Sequence, residues 1–221
     1  MKPFYYSMIL LHCAKSFHYI PYRQIRPLFL EMYHIIHPKN VSLEHIIPQS
    51  LFKKIKPEAS RDMHNIMLYP ILLNSHRSNY RYSNELVLDD TTIILNNNGE
   101  KCYYNAPFNH IGICLKSNKK RYFYPRPFYR GKIARACMYM AMTYPELREP
   151  IFNEVIDPFV LLTWHHEYPV SGFEIRKNDA IFKLQGIENI YVSKPELLLK
   201  DMESYLGKCI QIYHDYKWYT D

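Results

Sequence analysis

Residues 41–52 read VSLEHIIPQSLF, a β-prone run that sets a carboxylate beside an imidazole, Glu44 and His45, shortly before Pro48. Residues 41–47 predict a short strand. A second strand is predicted over 63–69 (MHNIMLY), and PILLNSHRSNYR from Pro70 predicts a helix whose first turn the proline presets. Strand, loop, strand and helix in that order gather Asp62, His64, Asn65 and Asn74 around the Glu44-His45 pair. Such a unit suits a hard cation: Mg²⁺ takes oxygen ligands, and Glu44 from the strand with Asn74 from the helix supply two. His45 is then free to act as a base, because an imidazole with a pKa of about 6.5 is largely neutral at pH 7. Adjacent strand residues point to opposite faces, so both serve one site only where the strand bends or ends, as Pro48 allows.

Upstream, residues 1–40 read as helical scaffold broken at Pro21, Arg26-Pro27 and Pro38. Downstream, TTIILNNNGEKCYY predicts a hairpin turning at Asn98-Gly99, and NHIGICLKSNKKRYFY continues the sheet. From Gly131, apolar residues at Ile133, Ala134, Cys137, Met138 and Ala141 predict an amphipathic helix with one face on the core. Further helices are predicted over 151–166, 173–185 and 195–206. No linker or repeat divides the chain, so the expected fold is a single α+β domain over 1–221, with scaffold at 1–40, the strand-loop-strand-helix unit at about 41–82 and C-terminal helices from 131 to 206.

The chain has 221 residues, 48% of them hydrophobic, enough for a well-buried core. Lys plus Arg number 28 against 21 Asp plus Glu, a net charge of +7 that favours an anionic partner. The five cysteines, Cys13, Cys102, Cys114, Cys137 and Cys209, are scattered and form no C-x-x-C. They fit neither a disulfide framework nor a thiolate zinc site, and the N-terminal apolar run is interrupted by Ser7 and His12. The expectation is therefore an intracellular monomer with no membrane span and no cleaved signal peptide.

Four segments carry a family resemblance: VSLEHIIPQSLF; DMHNIMLYPILLNSHRSN with Asp62, His64, Asn65, Asn74, Arg77, Ser78 and Asn79; YPRPFYRGKIARACMYM with a Gly-x-x-Ala-Arg helix start; and WHHEYPVSGFEIRKNDAIFKLQGIEN. In these the chain resembles the endonuclease I family of nonspecific nucleases, built on the ββα-metal (His-Me finger) motif. The resemblance implies a mixed α/β shell around a ββα-metal (His-Me) finger at about 41–82, His45 as general base, Glu44 and Asn74 as ligands of Mg²⁺ or another divalent ion such as Mn²⁺, and DNA, with RNA in some members, as substrate. Cleavage would leave 5′-phosphate and 3′-hydroxyl ends. Two departures stand out: Leu68 replaces a family proline, and the loop that brings an arginine to the site in many members is short here, so Lys53, Lys54, Lys56 or Arg61 would substitute.

His64 reads as a hydrogen-bonded structural histidine, and Asn65 as a group that orients His45 or satisfies backbone. Arg77 and Arg81, at i+3 and i+7 from Asn74, either face the same phosphate or form a solvated face. Residues 117–130, SNKKRYFYPRPFYR, mix Lys119, Lys120 and Arg121 with aromatics, which suits a groove that tracks a strand or a charge-protected sheet edge. Two rival functions remain open: a nucleic-acid-binding protein with a decayed nuclease centre, and a site-specific His-Me finger endonuclease.

Overall fold

The computed structural model describes residues 17–33, 38–86, 92–96, 99–102, 111–115 and 120–207. The N-terminal apolar run with Ser7 and His12, Asn98 of the predicted turn and Lys119 lie outside these. The fold is α+β. Helix α1 (Tyr22–Met32) precedes strand β1 (Val41–His45), helix α2 (Gln49–Ile55), strand β2 (Ile66–Pro70) and helix α3 (Ile71–Arg77). β1 and β2 are antiparallel, with Val41 opposite Pro70 and His45 opposite Ile66. Pro70 closes β2 and caps α3 in one step, because its fixed φ suits both the strand end and a helix entry.

Period-two alternation on β2 divides the interior. Met67 and Tyr69 enter the main core, while Ile66 and Leu68 enter a second cluster with Ile25 and Phe29 of α1. On β1, Val41 and Leu43 pack on that second cluster. His45 belongs to their face, and Ser42 and Glu44 to the opposite one, toward α3. α1 runs through Pro27 instead of breaking there. Pro27 and Arg23, whose carbonyl would have bonded a residue-27 amide, are both exposed, so no donor is missed in the interior.

A second sheet has the order β3-β6-β5-β4, from β3 (Arg81–Tyr82), β4 (Ile93–Leu95), β5 (Ile111–Leu115) and β6 (Arg121–Tyr124). Gly99, at φ +88°, lies in the connection beyond β4, where Leu95 bridges Lys101. It packs so closely on α3 that a Cβ would come within 2.6 Å of the Leu72 Cβ.

Helix α4 (Pro127–Thr143) departs from the amphipathic expectation. Apart from Lys132, every residue from Arg130 to Ala141 is buried. The helix runs through the interior, against α5 (Pro158–Glu167), the 63–65 turn and α7 (Ile190–Ser193), so a one-sided pattern is not required of it. Between α5 and α7 lies α6 (Gly172–Gln185), and α8 (Glu196–Leu206) ends the described fold. Among the described residues no helix is long and apolar enough to cross a membrane.

Candidate active site

β1 ends at His45, and the next residues are gripped from three sides. Asn65 accepts from the Ile47 amide at 2.8 Å and donates to its carbonyl at 3.2 Å. Arg77 donates to the carbonyls of His45 and Ile46, and the Tyr82 hydroxyl donates to the Ile46 carbonyl at 3.0 Å. The strand end is thus a fixed platform: Glu44 leaves it toward α3, and His45, the last strand residue, leaves it where the chain bends at 46–47.

His45 is 9% exposed, and its Nε2 lies 3.0 Å from the Ser60 carbonyl. A carbonyl can only accept, so Nε2 carries the proton and Nδ1 is the basic nitrogen. Burial holds the imidazole below its usual pKa; the Ser60 carbonyl opposes this and the Arg77 charge adds to it. The ring is therefore neutral around pH 7, the protonation state a base requires.

Glu44, 3% exposed, faces α3. Its Oε1 lies 3.4 Å from Arg77 Nη1 and has no hydrogen bond, so burial pushes the carboxyl up to about 7 against the opposing pull of Arg77. Asn74 is on the same side of β1: its Nδ2 donates at 2.9 Å to Ser42 Oγ, two residues from Glu44, and at 2.9 Å to the Leu43 carbonyl. Both bonds use the amide nitrogen and leave Oδ1 uncommitted. An orphaned buried carboxylate oxygen and an amide oxygen beside one strand face make a donor set that fits a hard divalent cation. Among the described residues no three His, Cys, Asp or Glu side chains gather to hold a metal, so a cation here would complete its shell with solvent or substrate oxygens.

The remaining sequence candidates divide. Arg77 is turned into the protein and forms no solvated face: it is 2% exposed, donates to the carbonyls of His45, Ile46 and Ser78, and lies over the Tyr82 ring at 4.8 Å. Arg81 is not on the Asn74 helix at all. α3 stops at Ser78, whose φ of 52° breaks the helix, and Arg81 on β3 donates to the Phe152 carbonyl at 3.0 Å and lies 3.6 Å from Asp157. His64 is internal, its Nε2 3.0 Å from the Ile187 carbonyl, with burial pushing it down to about 3. Asn65 holds the backbone after His45 and is not bonded to the imidazole. Lys53 and Lys54 are exposed on α2, Arg61 lies over the Tyr19 ring at 5.0 Å, and Lys120 and Arg121 are exposed at the start of β6 on the other sheet.

Two features escaped the sequence reading. Ser60 acts through a backbone carbonyl, which no side-chain pattern announces. Arg135 and Glu174 form a buried bidentate pair at 2.6 and 2.8 Å. Gly131 permits it: a Cβ there would run into the Tyr168 carbonyl, which accepts from Arg135 at 2.9 Å. The Gly-x-x-Ala-Arg spacing was the available signal.

The sequence profile of the family described as Endonuclease I matches residues 37–196. An extracellular deoxyribonuclease of Aeromonas hydrophila is 30% identical over 138 residues, 60% of this chain and 49% of that protein. A periplasmic deoxyribonuclease of the same organism is 28% identical over 138 residues, 60% of this chain and 47% of that protein. The chain therefore spans about half the length of the curated relatives it matches. Their names overturn the intracellular expectation and point to secretion. Unpaired cysteines are weak evidence of compartment when the thiol is inaccessible: Cys137 is fully buried and pushed up to about 12, so it would stay inert in an oxidising medium.

Proposed function

Since the chain belongs to the endonuclease I family, we propose that it is an exported, metal-dependent deoxyribonuclease that cuts without reading sequence, with the β1-β2-α3 unit as its His-Me finger. The observation that carries this reading is His45, with Nε2 bonded to the Ser60 carbonyl and Nδ1 left basic, next in sequence to a buried glutamate whose Oε1 lacks a hydrogen-bond partner. Nδ1 accepts a proton from a water as that water's oxygen bonds to phosphorus. The bond from phosphorus to the 3′ oxygen then breaks with its electron pair on that oxygen, which takes a proton from solvent, leaving 5′-phosphate and 3′-hydroxyl ends.

Glu44 and Asn74 Oδ1 would hold Mg²⁺ or Mn²⁺, which supplies positive charge against the charge that builds on the phosphate and the leaving oxygen. Arg77 keeps the Glu44 carboxylate and the carbonyls of His45 and Ile46 in place, and so acts inside the protein instead of on DNA. Exposed Lys53 and Lys54 on α2, which opens four residues after His45, would meet phosphates. Contacts limited to phosphate and sugar hold the duplex without selecting a sequence.

The test is digestion of supercoiled plasmid with Mg²⁺ or with EDTA, using wild type and His45→Ala. Wild type with Mg²⁺ should give a smear, EDTA should abolish it, and His45→Ala should be slower by about two to four orders of magnitude. Cleavage unaffected by EDTA or by His45→Ala overturns the proposal. Discrete bands would mean sequence reading, and a gel shift without cleavage would leave only a binding protein.

A further inference from the structure

Residues 17–33 precede the family-matched segment 37–196, yet α1 reaches the candidate base. The cause is helical spacing. Ile25 and Phe29 are fully buried against β2, and Tyr22 continues their face one turn back, at i, i+3 and i+7. Arg26 donates to the Val41 carbonyl at 3.3 Å, tying the helix to β1. Because His45 shares the β1 face of Val41 and Leu43, it meets Tyr22. The two rings stack with centroids 5.8 Å apart and planes 6° apart.

An imidazole held by one hydrogen bond can still rock about it. The Ser60 carbonyl fixes one edge of the His45 ring, and the Tyr22 ring lies along one face. Edge and face together define the plane, and with it the direction of Nδ1. Tyr22 is itself 44% exposed, so the contact does little to fill the core.

We propose that Tyr22 is a positioning residue for the cleavage reaction, an aromatic ring supplied from outside the family-matched segment that holds the plane of the His45 imidazole. This rests on the reading of His45 as the base. Misplacing a reacting group by about an ångström can lower a rate by up to about 100-fold, and loss of one of two restraints should fall below that, at about 10-fold.

The experiment compares wild type, Tyr22→Phe, Tyr22→Ala, Tyr22→Leu and His45→Ala on a fluorogenic duplex with Mg²⁺, with imidazole proton NMR of the metal-free proteins. Tyr22→Ala and Tyr22→Leu should lower kcat by about 10-fold with KM within about twofold, and Tyr22→Phe should stay within about twofold of wild type in both. The His45 ring protons should show an upfield ring-current shift in wild type and Tyr22→Phe that is lost in the other two. Tyr22→Leu keeps apolar bulk on α1, so it carries the same comparison if Tyr22→Ala folds poorly. The proposal is overturned by wild-type kcat in the ring-less variants, by a rise in KM at constant kcat, which would make Tyr22 a DNA contact, or by a loss equal in Tyr22→Phe. Full activity in His45→Ala would bring down the base reading and this proposal together, whereas an inactive His45→Ala beside a fully active Tyr22→Leu would bring down this proposal alone.

Discussion

Among its described residues the protein buries two arginine–glutamate pairs and treats them differently. Arg135 and Glu174 meet in a bidentate fork at 2.6 and 2.8 Å, and Arg135 also donates to the Tyr168 carbonyl. Arg77 spends its donors on the carbonyls of His45, Ile46 and Ser78 and reaches Glu44 only at 3.4 Å, leaving Oε1 without a hydrogen bond. One carboxylate is saturated by protein and the other is not. A saturated buried pair fixes structure, whereas an unsaturated carboxylate is desolvated at a cost that a bound cation could offset.

The largest effect should come from breaking the saturated pair. Glu174→Ala would strand the Arg135 guanidinium, 1% exposed, in the interior, and should lower stability by about 3–5 kcal/mol in urea unfolding. A loss below about 1 kcal/mol would mean that the fork is not the structural pair its geometry implies.

Glu44→Gln should reverse the balance. The amide keeps the shape of the protonated carboxyl and removes a charge the protein does not satisfy, so the variant should match wild type below pH 4.5 and be the more stable of the two at and above neutral pH, while activity at fixed Mg²⁺ falls by about 100-fold or more. The metal-free proteins give a finer reading. The folded carboxyl titrates at about 7 against an ordinary 4.5, so between those values the native state holds more protons than the unfolded chain. Stability contributed by the protonated form is present below 4.5 and is lost as pH rises through about 7. Burial raises Asp62 to about 6, which acts in the same sense in both proteins, so the difference between wild type and Glu44→Gln isolates Glu44. That difference should span on the order of 2–3 kcal/mol across the window. Parallel curves for the two proteins would show Glu44 to be better satisfied than its contacts suggest.

Much of this contrast is visible in the sequence, and what is hidden has physical causes. Glu44, His45 and Asn74 stand out because strand alternation and the proline at the strand-to-helix junction are local features. Arg81 is misread by assuming one continuous helix, when Ser78 ends it, whereas Arg77 is on that helix and is turned into the interior. α4 looks amphipathic because its residues are judged without the elements that cover its other sides. Pro27 looks like a breaker, yet a proline on an exposed helix face orphans only an exposed carbonyl. The Ser60 carbonyl and the Tyr22 ring reach His45 from 15 and 23 residues away in sequence, and neither contact has a motif.

The smallest effect asks on which side of the molecule DNA lies, and it uses the same two pairs as landmarks. Lys53 and Lys54 are exposed on α2, which follows directly from the strand end that carries Glu44. Arg176 and Lys183 are exposed on α6, the helix that carries Glu174. Changing either two to Ala removes the same charge from the +7 total, so long-range attraction falls equally and only direct phosphate contacts distinguish the variants. In a His45→Ala background, where duplex is bound without being cut, log affinity should fall linearly with log salt, each lost contact lowering the slope by about 0.9. Lys53→Ala/Lys54→Ala should therefore flatten the slope by up to about 1.8, on random and fixed duplexes alike, while Arg176→Ala/Lys183→Ala leaves it within error of the parent. Equal slopes in the two double variants would place the cations of α2 outside the binding face. A flattened slope only in the α6 variant would move that face to the side of the saturated pair, and the open carboxylate would then need another explanation.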